Sequence, residues 1–158
     1  MTLDPRTRIG HVHLTVSDLD RALAFYRDVL EFDLTGRYGR DAVFLSAGGY
    51  HHHVGLNTWA GRGAPPPRRG TTGLYHFAIL YPDRPALARA VRRVVDRGVP
   101  LEGASDHGVS EAVYLRDPDG NGVELYRDRP EREWPRAADG SLAMHTLPLD
   151  LGGLLAES

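Results

Sequence analysis

The chain has 158 residues, of which 41% are hydrophobic and 25% charged, with a formal net charge of −2 and no cysteine. Such a composition excludes a disordered chain and leaves enough apolar material for one domain or two small modules sharing a core. The near-neutral charge argues against nucleic acid or an anionic membrane as partner, and the missing thiols exclude disulfides, thiolate metal ligands and a cysteine nucleophile.

In chain order, the segment MTLDPRTRIG lacks the apolar core of a signal peptide, and no apolar run reaches membrane-spanning length. The expectation is a soluble, cytoplasmic protein. A strand follows, His11-Val-His-Leu-Thr-Val, and Ser17 or Asp18 is placed to cap a helix with its apolar stripe at Leu23, Tyr26, Val29 and Leu30. Strand-like runs then occupy Asp33–Tyr38, Ala42–Ser46 and Tyr50–Asn57, with Gly48-Gly49 as a turn. The stretch Gly61–Gly73, rich in Gly, Pro and Arg, reads as a linker or surface loop. Its Arg68-Arg69 pair, like Arg92-Arg93, reads as solvated charge.

A second copy of the pattern begins at His76-Phe-Ala-Ile-Leu. Asp83 caps the next helix, Pro85 suits its first turn, and Leu87, Val91, Val94 and Val95 form its buried stripe up to Gly98. Strands are expected over Leu101–Ser105, Glu111–Arg116 and Val123–Tyr126, the last after the turn Asp119-Gly120-Asn121-Gly122. The organisation is thus β-α-β-β-β twice, a weak internal repeat in an α+β fold. Residues 8–127 form one domain of two modules, 8–60 and 73–127, and residues 128–158 form a tail. Its apolar stretch, Leu147–Leu155, needs the domain or a second subunit to cover it.

Strand alternation decides which side chains share a face. Val12, Leu14 and Val16 belong to the core, so His11, His13 and Thr15 face away from it. By the same alternation Phe77 and Ile79 are core and His76 is opposite. Val123 and Leu125 are core, which turns Glu124 and Tyr126 outward with the histidines. Two concave mixed sheets would enclose a polar cleft. Two imidazoles and a carboxylate meeting there match a facial donor set that leaves coordination positions open on Fe(II), with zinc, manganese and nickel also suited. A single strand histidine is ordinarily just a hydrogen-bonded or surface residue. The metal reading rests on repeated placement, matching face and a carboxylate at the homologous end. Alternation with Val54 and Leu56 puts His51, His53 and Asn57 on the cleft face as well. One of the two histidines there is a fourth ligand, a supporting partner or an acid–base group; the alternatives are a solvated cluster, or His52 pinned in a hydrogen bond. His13 points into the same cleft as a substrate-orienting residue.

The opening HVHLTVSDLDRALAFYRDVLEF resembles the first strand and helix of the vicinal oxygen chelate superfamily, whose members include glyoxalase I, extradiol dioxygenases, fosfomycin-resistance transferases and bleomycin-binding proteins. The likeness runs over roughly residues 8–135. It implies the glyoxalase fold, a metal held by His11, His76 and Glu124, and a homodimer. SDHGVSEAVYLRDPDGNGVELYRDRPEREW is similar to the end of a catechol-2,3-dioxygenase-like module and nearly fits the extradiol signature through His107, Val113, Tyr114, Asp117, Pro118, Gly120 and Glu124. Ser105 departs from the residue types usual before that histidine. GGYHHHVGLNTW resembles the same group. The resemblance implies an oxidoreductase in which Fe(II) brings a catechol-like aromatic and O2 together, Tyr114 hydrogen-bonds a substrate oxygen, and His53 or His107 moves protons. The competing expectations are a glyoxalase-like isomerase or lyase, against which the fourth strand offers histidines and no acid, and a metal-free drug- or metabolite-binding module.

Overall fold

In a computed structural model that describes residues 2–68 and 70–158, the chain divides into two compact units, Met1–Pro65 and Pro66–Ser158. Arg69 of the Arg68-Arg69 pair lies outside the described residues.

The first unit runs β1 (Val12–Thr15), α1 (Leu19–Tyr26), β2 (Asp33–Tyr38), β3 (Ala42–Ser46) and β4 (Val54–Asn57). Its sheet has the order β1-β4-β3-β2 and is mixed, because β1 pairs in parallel with β4 while the other pairs are antiparallel. A parallel pair needs a crossover, and α1 lies within it. Asp18 is the cap: its carboxylate accepts the Arg21 N–H at 2.8 Å. Ala22, Leu23, Phe25 and Tyr26 are buried, and α1 packs on β3 and β4. Each large side chain so covered contributes about 1.5–3 kcal/mol. The helix is shorter than its apolar stripe: it ends at Tyr26, yet Val29 and Leu30, beyond it, remain buried.

The second unit repeats the order with β5 (Phe77–Leu80), α2 (Arg84–Asp96), β6 (Leu101–Asp106), β7 (Ser110–Arg116) and β8 (Gly122–Asp128). Its mixed sheet has the order β5-β8-β7-β6-β9, where β9 is the short tail strand Leu147–Pro148. Asp83 caps α2 by accepting the Ala86 N–H at 2.8 Å, and Gly98 follows its end in the left-handed region at φ 70°. The stripe is filled by Ala88 and Ala90 beside Leu87, Val91 and Val94, whereas Val95, expected in the core, is 40% exposed. Before β8, the Asp117 carboxylate accepts the N–H groups of Asp119 and Asn121, and Gly120 turns at φ 84°.

The tail folds onto this unit. After a 3-10 turn at Glu131–Glu133, β9 adds to the free edge of β6, and α3 (Leu151–Leu155) packs on α2 with Leu154 fully buried. Among the described residues, no helix is long and apolar enough to cross a membrane.

Candidate functional site

On the second sheet, one row across the strands away from the helix runs Ala78–Glu124–Tyr114–Gly103. Its neighbours in each strand, Val123, Leu125, Val113 and Leu115, are buried, so alternation turns Glu124 and Tyr114 to the same side. His76 sits just before β5. Its Nε2 is 2.9 Å from Glu124 Oε2, with side-chain exposures of 31% and 12%. Gly122 makes room for it, since a Cβ there would meet the Tyr75 carbonyl oxygen and come within 2.9 Å of the His76 Cβ. Gly122→Ala is therefore expected to cost roughly 1–3 kcal/mol by crowding and to weaken divalent-metal binding. Urea denaturation and titration calorimetry read the two effects separately.

The row continues into a line of polar contacts. Glu124 Oε1 is 3.4 Å from the Tyr114 hydroxyl, and that hydroxyl is 2.7 Å from His107 Nε2. His107 Nδ1 in turn lies 3.0 Å from the His145 carbonyl oxygen and 3.3 Å from Thr146 Oγ1. Burial first, and then the Glu124 charge, push the Tyr114 phenol up to about 12. Tyr114 thus keeps its proton at neutral pH. These groups border an open hollow of about 530 Å³ that His76, Tyr114 and His107 share with Gly103, Ser105 and Thr146. A volume of that size accepts a small aromatic molecule.

An imidazole nitrogen and a carboxylate oxygen side by side are the donor types that borderline divalent metals take, so His76 and Glu124 fit such an ion. Among the described residues, no group of three or more His, Asp or Glu converges into a ready metal site.

In the first unit, His11 precedes β1 and is exposed. Its ring lies 4.4 Å from that of His52, which also packs 5.0 Å from Phe44. Burial, then the neighbouring His11, lowers the pKa of His52. His13 stands in the row His13–Gly55–Phe44–Gly36. Its ring fills the space over Gly55, where a Cβ would be 2.9 Å away, and it contacts Trp59 at 5.7 Å.

The run His51–His53 lies just before β4, which begins at Val54, and the His53 backbone still bonds to both neighbouring strands: Val12 N donates to its carbonyl at 3.0 Å and its own N–H donates to the Leu45 carbonyl at 2.8 Å. His53 turns to the β3 end, its Nδ1 3.0 Å from Ser46 Oγ and 3.3 Å from the Ala47 nitrogen, which donates to it. His51 stacks on Tyr50 at 4.0 Å and reaches His52, Nδ1 to Nδ1, at 2.8 Å. Asn57, expected to face the cleft, is buried, and its Oδ1 accepts the Trp59 N–H at 3.1 Å. Tyr126 shares the side of Glu124 one row further on, opposite Ala112, but does not border the hollow. Burial raises its pKa as well. His52, Thr146 and the His145 carbonyl were missed by pattern reading. Three consecutive histidines carry no phase of their own, and a tail with three prolines and no regular apolar period gives no sign of where it docks.

Residues 8–125 match the family described as Glyoxalase/Bleomycin resistance protein/Dioxygenase superfamily. The chain is 43% identical over 153 residues to the catechol-2,3-dioxygenase of Bacillus subtilis (strain 168), covering 96% of this chain and 52% of that protein. It is 35% identical over 129 residues to biphenyl-2,3-diol 1,2-dioxygenase 3 of Rhodococcus globerulus, covering 81% and 66%. The chain spans about half to two thirds of the length of these relatives. The crystal structure of lactoylglutathione lyase from Agrobacterium tumefaciens is similar with a TM-score of 0.59 and 30% identity, covering 78% of this chain and 96% of that one.

Proposed function

The chain belongs to the glyoxalase/bleomycin resistance protein/dioxygenase superfamily, and from that premise we propose that it is a divalent-metal enzyme of the extradiol kind, opening the ring of a catechol-like aromatic with O2. The observation that carries this reading is the line His76–Glu124–Tyr114–His107 beside one hollow. The two dioxygenase relatives support it.

In this reading His76 and Glu124 hold the metal, Fe(II) by preference, and His11 is the third ligand. Bound there, the metal supplies Lewis acidity and a common template for the aromatic diol and O2. Tyr114, protonated at neutral pH, meets a substrate hydroxyl from the floor of the hollow. His107 exchanges a proton with the Tyr114 hydroxyl across their 2.7 Å contact. On the first unit, His52, beside His11, is the acid–base candidate in place of His53, whose Nδ1 is engaged at the β3 end. His13 lines the same side with Phe44 and Trp59.

The test is anaerobic loading with Fe(II), addition of a panel of catechols, and admission of air, with His76→Ala as control. A yellow ring-fission product that the control does not form is the expected outcome. A second reading, a glyoxalase-like isomerase, is favoured by the lyase structure, which this chain spans almost completely. Colourless reactions with every catechol, together with conversion of a hemithioacetal, would replace the first reading by the second.

A further inference from the structure

The tail after β8 does more than cover the edge of β6. Trp134 Nε1 donates to the Arg129 carbonyl at 2.7 Å, and Ala143 N donates to the Pro135 carbonyl at 2.9 Å, so the tail doubles back on itself. It then passes the loop that carries His107. The His145 N–H donates to the His107 carbonyl at 3.3 Å, and β9 pairs Leu147 and Pro148 with Asp106 and Ser105. The fit is close: a Cβ on Gly108, itself at φ 75°, would lie 2.5 Å from His145 Cε1 and 2.8 Å from Pro135 Cγ. Beyond β9 the strap is anchored by buried Leu154 and by Arg92, whose NH2 donates to the Leu155 carbonyl at 3.0 Å.

We propose that this strap is a positioning element of the site: the His145 carbonyl holds the proton of His107 on Nδ1, leaving Nε2 as the lone pair that accepts the Tyr114 hydroxyl proton. A carbonyl oxygen has no proton to give, so the 3.0 Å contact is a hydrogen bond only when Nδ1 is the donor. In neutral imidazole the other nitrogen is then an acceptor. The Tyr114 hydroxyl has one proton and two acceptors, His107 Nε2 at 2.7 Å and Glu124 Oε1 at 3.4 Å. The shorter contact takes it. The phenol oxygen then has only lone pairs left for further contacts, and it accepts a proton from a substrate hydroxyl as its own moves to His107. No bond other than O–H and N–H changes: the substrate loses one proton, Tyr114 passes one on, and Nε2 gains one. The proposal rests on the dioxygenase reading for its use in turnover, but the polarity of the line does not.

The test is the ring-nitrogen NMR of His107 in the full chain, labelled with nitrogen-15 and free of added metal. Wild type is expected to show the Nδ1–H tautomer. Thr146→Val should keep it, because the carbonyl is the acceptor. Gly108→Ala, which pushes the strap away, should shift His107 toward Nε2–H. In the catechol assay that variant should lose up to about 100-fold in kcat with KM nearly unchanged. An Nε2–H tautomer in wild type, a change of tautomer in Thr146→Val, or an unchanged one in Gly108→Ala overturns the proposal. If Gly108→Ala fails to fold, wild type and Thr146→Val still decide it. An inactive protein with the Nδ1–H form would remove the dioxygenase reading and leave the strap; an active one with Nε2–H would do the reverse.

Discussion

Glu124→Gln is expected to fold as the wild type does and to lose its divalent metal. The amide keeps the shape of the carboxylate and can still meet Tyr114 and His76, so the packing of β8 is unaffected. The anionic oxygen beside His76 Nε2 is gone, however, and hard or borderline divalent ions favour a charged oxygen over an amide one. Loss of a group that merely supports a ligand costs about 10–100-fold in metal affinity. Removing the ligand itself should exceed that range, and ring cleavage should fall to the background rate of the His76→Ala control. Metal content after dialysis and circular dichroism together check it. A Glu124→Gln protein that retains a full equivalent of metal would show that the ion is held elsewhere, and the site built on β5, β7 and β8 would have to be abandoned.

Much of that site follows from period-two patterns. Val123 and Leu125 pack inward, so Glu124 faces the other way, and the same argument puts Tyr126 on that side, opposite Ala112. The strands Asp33–Tyr38 and Ala42–Ser46 lie over the predicted ranges, separated by the turn at Gly39–Asp41. Alternation says less where no apolar residue anchors it. Counting back from Val54 places His51 and His53 together, and both rings lie against Tyr50, that of His53 also beside Ser46 Oγ. The ring that reaches His11 is nevertheless that of His52, which strand parity alone would set on the other side.

The other illegible parts are contacts between distant segments. Nothing in Gly122 says that the backbone of Tyr75 passes over it, and a glycine after Asp119-Gly120-Asn121 reads as part of a turn. Likewise the Leu147–Leu155 stretch shows that something must be covered, but not that β9 will close the edge of β6 and bring the His145 carbonyl to His107. Such pairings depend on loop closure and edge complementarity, which leave little trace in local composition.

Glu111→Ala is expected to destabilise the protein by about 3–5 kcal/mol, the range for removing one partner from a buried ion pair. Glu111 is 4% exposed, on the helix-packed side of β7. Its Oε2 accepts from Arg84 Nε and Arg127 Nε, each at 2.9 Å, and its Oε1 accepts from Arg129 NH2 at 3.1 Å. One carboxylate thus compensates cations from the start of α2, from β8 and from the segment after it. Arg84 also pairs with Glu157, and Arg129 with Asp106 at 2.7 Å, so each keeps an acidic partner when Glu111 is removed. Arg127, only 12% exposed, pairs with no other carboxylate among the described residues and would carry most of the penalty. The exposed pair Arg116–Glu102, with side chains 44% and 45% exposed, is the control: Glu102→Ala should change stability by no more than about 1 kcal/mol. Urea midpoints measured side by side separate the two. The buried network also bears on the site, since Arg129 joins Glu111 to Asp106, whose carboxylate accepts the Gly108 N–H at 2.8 Å at the base of the His107 loop. Glu111→Ala should therefore loosen that loop before the sheet opens, with faster amide exchange at Gly108 than at Val113. Equal acceleration at both would mean that Glu111 steadies the unit as a whole rather than the path to His107.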